Sequence, residues 1–494
     1  MSVVNPRAHS RNGGGGLEHA HGRRGDIRDL LQIAVAAMKA KKYDEAWQAA
    51  QAALSQDMDS APALYICGQL ALELDYQGLA ANCFRRACAL RPDQYNHWLG
   101  FGASLLDMRA FDEAEECFRK AMKITPEEPI AYANMSALTL NKGDPRECLK
   151  WANKAIDMMP ETTRQKVSTM GNRGFAHLML GEWEKGFDDY RHSMLNKGRV
   201  RRIYREPEEP QWDGQEGHVV VIQGEQGLGD EISFSSLIPE LAAMSKKVIF
   251  DCHPKLVNTF KRSFPNVDCY GTRKESSVKW CHDYAIDSSA PISCVGHAFR
   301  KKDADFPRKA WIKTDPEKRE KWREWLNALP AGRNIGIAWT GGIFLTNRKG
   351  RSCTLDQFDE IIKPGANYIC LEYRDFPNDV KTWNEQNPDR KIHVPPVDAN
   401  DYDDTLALLE ELDLVVSVTT TIIHACGAIG KRCLCIVPSM LTSSQWRYGI
   451  EGDEMLWYPP GSVTLLRQHR SEDDLKMVIR RAAKAMQEYL QGLR

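Results

Sequence analysis

The chain has 494 residues, 42% of them hydrophobic, with 66 Lys and Arg against 67 Asp and Glu. That length predicts roughly two to four domains with several apolar cores, while a net charge of −1 argues against a nucleic-acid binder, whose affinity would rest on neutralising phosphates. No uncharged apolar run approaches the roughly 20 residues that cross a bilayer, no apolar leader reads as a signal peptide, and the 14 scattered cysteines form no CxxC pair, so a soluble, reduced, cytoplasmic chain without a membrane span is expected.

Residues 1–26 are rich in Gly, His and Arg and are expected to be a disordered tail, because they cannot bury enough apolar surface to order themselves. From residue 27 to about 200 a 34-residue rhythm takes over. Ala46, Ala80, Ala114 and Cys148 keep that step, as do Ala53, Ala87, Ala121 and Ala155, Pro92, Pro126 and Pro160, and Phe84 and Phe118. The spacing predicts helix-turn-helix units over 27–60, 61–94, 95–128 and 129–162, then a looser fifth carrying Gly174, Trp183, Gly186 and Tyr190. Small residues let two helices approach, large ones fill the remaining gap, and each Pro ends a second helix. These positions resemble the tetratricopeptide repeat family, which implies a solenoid whose concave surface holds a peptide or protein. A coiled coil would repeat every seven residues instead.

Residues 201–214 are charged and proline-bearing and read as a linker. Short apolar runs then alternate with amphipathic ones, which is α/β punctuation. Strands are expected at 218–223 and 247–250, with a helical run at 231–244 between them, and in a second series at 334–339, 368–371, 414–418 and 433–437. The two series predict two lobes, 215–330 and 331–494, with ligands bound beyond the carboxyl ends of the strands. Three strand-to-helix turns are therefore the candidate sites.

The first turn is Gly224-Glu225-Gln226-Gly227-Leu228-Gly229-Asp230, where Gly224, Gly227 and Gly229 permit close backbone approach. On its residues alone it is equally a tight turn with Asp230 as a helix-start charge. In the second, Thr419, Thr420 and Thr421 lead into a helix bearing His424. Free N–H groups at a helix start beside hydroxyls suit a diphosphate. Standing alone, though, the stretch reads more readily as a capped helix with a hydrogen-bonded buried histidine. The third joins Thr340 and Gly341 to a basic loop that includes Asn347 and Arg351, suited to phosphate and equally to plain solvation. Clustered His and Cys metal ligands are missing, and so is a P-loop.

Five motifs then occur in one order: Gly224–Asp230, Ile337–Gly341 with Arg351-Ser352, Ser417–Ala428, Trp446-Arg447-Tyr448-Gly449 and Trp457-Tyr458-Pro459. Together, over about residues 205–485, they resemble the glycosyltransferase domain found behind tetratricopeptide repeats in many bacterial proteins, a relative of the heptosyltransferase family. The resemblance implies an α + α/β chain: a tetratricopeptide helical solenoid followed by a two-lobed GT-B domain of twin Rossmann-like halves. It implies an inverting, metal-independent transferase that needs no cofactor, with a nucleotide-sugar as donor. By matching motif, Asp230 takes the place of the catalytic base, with Glu225 as the substitute. Thr340, Gly341, Arg351, Thr419, Thr420, Thr421 and His424 fall on the donor side. Relatives commonly read Ser-Val-Asp-Thr where this chain has Thr419. The expected partner is a protein acceptor on the repeats, flagellin-like proteins among the candidates, and a homodimer is among the assemblies left open. Two other readings stand beside this one: a catalytically inactive scaffold with a degenerate transferase domain, and a lipopolysaccharide or glycolipid sugar transferase.

Overall fold

The computed structural model describes residues 26–160, 163–196, 202–225, 227–342, 348–374, 376–439, 441, 443–469 and 475–492. The tail at 1–25, together with Gln226 and Asn347, lies outside the described residues. Asp26, assigned to that tail, instead caps the first helix, its carboxylate accepting from the Arg28 amide at 3.2 Å.

The 34-residue rhythm becomes helix pairs: α1 (Ile27–Lys39) with α2 (Tyr43–Gln56), α3 (Ala61–Glu73) with α4 (Gln77–Leu90), α5 (Tyr95–Asp107) with α6 (Phe111–Ile124), α7 (Pro129–Asn141) with α8 (Pro145–Met158), and α9 (Arg164–Met179) with α10 (Trp183–Asn196). The repeated alanines and Cys148 are buried where the helices cross. Phe84 explains two of the glycines: a Cβ on Gly68 or Gly100 would lie 2.8 or 2.6 Å from its ring. Helices α4, α6 and α8 each stop two residues before Pro92, Pro126 and Pro160, since a proline disfavours helical backbone at its predecessor.

The chain forms two compact units, residues 1–124 and 125–494. The break falls inside the repeat array, not near 200 where the rhythm ends. The cause is α10, whose Trp183, Phe187 and Tyr190 share one apolar core with the α/β region.

Within the second unit, β1 (Val219–Gln223) is followed by α11 (Leu228–Phe234), a 3₁₀ turn at Ser235–Leu237 and α12 (Ile238–Met244). The single helix expected over 231–244 is thus broken. Pro239 lies in the first turn of α12, and the hydroxyls of Ser233, Ser235 and Ser236 donate back to carbonyls a turn earlier. β2 (Lys247–Asp251), α13 (Val257–Ser263), β3 (Asp268–Tyr270), β4 (Ser288–Pro291) and α14 (Gly296–Phe299) complete this part. Its sheet has the order β3-β2-β1-β4, with every pair parallel. The expected linker is a strap bound to that sheet. Buried Glu209 accepts from the amides of Tyr204 and Arg205 and from the Ser289 hydroxyl at 2.8 Å, and Trp212 donates its amide to the Ser289 carbonyl at 2.9 Å.

The chain continues through α15 (Pro316–Asn327), β5 (Arg333–Ala338), β6 (Ala366–Cys370), α16 (Pro377–Gln386), β7 (Ile392–His393), α17 (Tyr402–Glu411), β8 (Leu414–Val418), α18 (Thr421–Ile429), β9 (Cys433–Val437), β10 (Val463–Arg467) and α19 (Lys476–Gly492). The second sheet runs β10-β9-β8-β5-β6-β7, again with every pair parallel. Both faces of such a sheet are covered, which is why β9 reads Cys-Leu-Cys-Ile-Val and is buried throughout. Although it precedes residue 330, α15 packs on α17: Trp322 donates its indole N–H to Asp404 at 2.9 Å, and Arg319 meets Glu411 at 2.6 Å. Asp401 caps α17, accepting from the Asp403 amide at 3.0 Å. Buried Asp403 instead ties α17 to α13 by accepting from Thr259 at 2.8 Å and Arg262 at 2.6 Å.

Candidate functional site

Strand order locates the site. The second sheet reverses direction of winding between β5 and β8, and the first between β1 and β4. A crevice opens beyond the carboxyl ends of strands at such switch points. The turns after β1, β5 and β8 are the three that the sequence singled out.

The turns after β1 and β8 meet. A Cβ on Gly229 would lie 2.9 Å from the His424 ring, and 3.4 Å from both the backbone and the hydroxyl of Thr421. Only a residue without a side chain lets α11 lie this close to the start of α18. Gly227 is the N-cap of α11, and a Cβ there would stand 2.7 Å from Asp230 Oδ2. Gly224 faces inward, where a Cβ would strike the Glu231 carboxylate at 2.2 Å. Asp230, in the first turn of α11, keeps 44% of its side chain exposed. Its Oδ1 accepts from Arg447 Nη1 at 2.6 Å.

On the second sheet, Thr420 is the N-cap of α18, its hydroxyl accepting from the Ile422 amide at 3.2 Å. Thr421 opens the helix. Thr419 does not join them: its hydroxyl is buried and accepts from the Gln445 amide at 2.9 Å. Thr340 is turned to a buried carboxylate, donating its amide to Glu372 Oε1 at 2.6 Å and its hydroxyl to Oε2. Gly341 allows Arg351 to approach, since a Cβ there would lie 3.1 Å from Arg351 Nε and 3.1 Å from the Thr419 carbonyl. That Nε is buried and without a hydrogen-bond partner among the described residues. Burial pulls the Arg351 guanidinium below its ordinary range, and Tyr448, Tyr373 and Asp230 pull it back up.

His424 is buried, with Nδ1 2.6 Å from the Tyr458 hydroxyl and Nε2 3.4 Å from that of Tyr448. Burial, then Arg447 and Arg351, push it down to about 3, so the ring is neutral near pH 7. Gly427 of α18 makes room for the Tyr458 ring, since a Cβ there would lie 2.3 Å from it.

Three site residues were missed. Glu231, beside the predicted base, is fully buried and accepts from the His253 amide at 2.6 Å, with Arg273 at 3.2 Å from its other oxygen. Burial outweighs the guanidinium and raises it to about 8. Glu225, the substitute base, is buried, and its Oε1 has no partner among the described residues. Arg447 and Tyr458 sit in motifs quoted for resemblance alone; an arginine between two aromatics was the available signal. One apolar core surrounds the site, joining Phe234 and Ile422 to Trp446 and Trp457. No group of three or more His, Cys, Asp or Glu placed to hold a metal occurs among the described residues, nor does a helix long and apolar enough to cross a membrane.

The tetratricopeptide repeat family matches residues 98–128. The chain is similar to Protein FlbA of Caulobacter vibrioides, 24% identical over 489 residues, covering 86% of this chain and 79% of that protein. A shorter stretch of 77 residues is 32% identical to the peroxisomal targeting signal receptor of Eremothecium gossypii, covering 16% of this chain and 14% of the receptor. Among solved structures, YrrB, described as a TPR protein with an unusual peptide-binding site, aligns at a TM-score of 0.29 with 15% identity, over 35% of this chain and 88% of YrrB. The N-terminal helix pairs are thus a tetratricopeptide scaffold of the protein-binding type, followed by a region built on two parallel sheets.

Proposed function

We propose that the chain is an inverting, metal-independent protein O-glycosyltransferase whose two sheets form a GT-B pair and whose repeats capture the acceptor polypeptide. The observation that carries this reading is the close approach of Gly229, the residue before Asp230, to Thr421 and His424. It brings α11, whose first turn carries a half-exposed carboxylate, against a capped helix start from the other parallel sheet. Asp230 takes the proton of a Ser or Thr hydroxyl, and the oxygen attacks the anomeric carbon of a nucleotide-sugar. The bond to the diphosphate breaks with inversion. The leaving charge is met by the amides that open α18 and by Arg351, whose buried Nε lacks a partner among the described residues. Losing one such contact typically costs about 10²–10³ in rate.

Asp230→Asn in the purified full chain is expected to abolish transfer while nucleoside diphosphate affinity stays within about threefold. Intact-mass analysis of acceptor proteins reads the transfer. A sugar-sized increment at the wild-type rate from Asp230→Asn would refute the base assignment.

A second reading, a docking scaffold that no longer catalyses, has its own support. The Thr419 hydroxyl is spent on Gln445 and both His424 nitrogens face tyrosine hydroxyls, so two of the donor-side groups are already engaged. Calorimetry with a panel of nucleoside diphosphates separates the readings: the scaffold binds none, or binds without hydrolysing the corresponding sugar donors.

A further inference from the structure

Asp230 stands 44% exposed at the start of a seven-residue helix, where a short carboxylate could turn among several rotamers. One group fixes it. Arg447, whose side chain is only 3% exposed, donates from Nη1 to Oδ1 at 2.6 Å. The guanidinium lies over two rings that touch each other, its carbon 4.2 Å from the Phe234 centroid and 4.5 Å from that of Trp446, with the two centroids 6.2 Å apart. Phe234 is on α11, the same helix as Asp230. Trp446 is held from the repeat side: Phe187 meets it edge-on at 6.0 Å and Tyr190 at 6.4 Å, both from α10. Phe187 itself is wedged against Gly296, where a Cβ would strike its ring at 2.5 Å. Arg447 therefore rests on an aromatic cluster that runs from the last repeat helix to the helix that carries the carboxylate.

Burying a guanidinium is costly, and a well-packed apolar side chain would generally serve stability as well or better. A planar cation seated over two adjoining aromatic rings has few rotamers left, and presents its N–H groups in one direction. Such a group suits geometry more than stability. We propose that Arg447 is the positioning residue of Asp230, and that α10 of the repeat array completes its seat through Phe187 and Tyr190 on Trp446. The inference rests on Asp230 being the base. Oδ1 stays on Arg447 while Oδ2 takes the proton from the acceptor hydroxyl. The hydroxyl oxygen's electron pair forms the new bond to the anomeric carbon, and the pair of the broken bond leaves with the diphosphate. The array that captures the acceptor and the orientation of the base then depend on one shared helix.

The test uses the full chain and two kinds of readout. In steady-state transfer, Arg447→Met is expected to lower kcat by about 10²-fold with donor KM within about twofold, the size of effect that small misplacements of a reacting group produce. Arg447→Lys, which keeps the charge but not the plane, is expected between Met and wild type. Phe187→Leu, on the repeat helix, lowers kcat several-fold with the same donor KM. Independently of activity, Asp230→Asn leaves a buried cation without its carboxylate, so its thermal midpoint falls, and adding Arg447→Met to it restores most of the loss. A kcat for Arg447→Met within about twofold of wild type, or additive midpoints in that cycle, would overturn the inference and leave the transferase reading standing. No transfer by the wild-type chain, with the coupling intact, would remove the transferase reading and leave Arg447 as the group that fixes Asp230.

Discussion

Glu231→Gln isolates the titration of a carboxyl group buried one residue from the proposed base. Glu231 is fully buried, and its folded-state pKa rises from 4.5 to about 8 because burial outweighs Arg273. A raised carboxyl holds its proton more tightly folded than unfolded. Its contribution to stability is complete below pH 4.5 and is lost as pH climbs to about 8. At about 1.4 kcal/mol per pH unit, the ceiling on that loss is ~5 kcal/mol. Gln keeps the oxygen that accepts from the His253 amide and cannot ionise. It also loses the Arg273 partner, whose attraction to the ionised carboxylate is already contained in the value of about 8. The assay is the urea midpoint of both proteins at half-unit steps from pH 5 to 9. His424 titrates in the opposite sense, being depressed, and other buried carboxyls add their own slopes, so the difference between variant and wild type is the quantity read. That difference is expected to move in favour of the variant by about 2–5 kcal/mol between pH 5 and pH 8, then level off. Parallel curves for the two proteins would refute the reasoning.

Two further outcomes follow from packing. Gly427→Ala puts a methyl 2.3 Å from the buried Tyr458 ring, which stacks on Trp311 at 5.7 Å and bonds His424. Overpacking of about 1–3 kcal/mol should exceed the gain of about 1 kcal/mol from replacing a helical glycine, so the urea midpoint falls; a rise would refute the close approach. A fragment beginning at Thr125 is expected to fold, whereas one beginning at Arg202 is not. Removing 125–201 uncovers Phe187's and Tyr190's partners on Trp446, at about 1.5–3 kcal/mol per large apolar side chain against a total stability of about 5–15 kcal/mol. Cooperative thermal melting of the shorter fragment would refute the shared core.

The repeats were legible because their information is local. A helix pair that crosses at Ala46 crosses again at Ala80 and Ala114, and each crossing needs the same small residue, so the period is written in the chain and the helix bounds follow it closely. The strands beside the site were legible for a similar reason: sheets covered on both faces need unbroken apolar runs, as at 414–418 and 433–437. The three turns could be chosen from sequence because glycine and threonine mark backbone conformation and helix caps. Their relation to one another could not be. Whether Gly229 faces solvent or the Thr421 backbone depends on where two separately encoded sheets come to rest, as does the partner of Asp230, which lies 217 residues further along the chain. Thr419 looked like its neighbours in sequence and was separated from them by one buried glutamine, and His424 is kept neutral by burial and by Arg447 and Arg351, while its ring nitrogens face two tyrosines more than twenty residues away. Sequence periodicity thus determined the elements, because each is specified by residues a few positions apart. Tertiary packing alone decided which side chains remain free to act, because burial and charge pairing come from residues that only folding brings together.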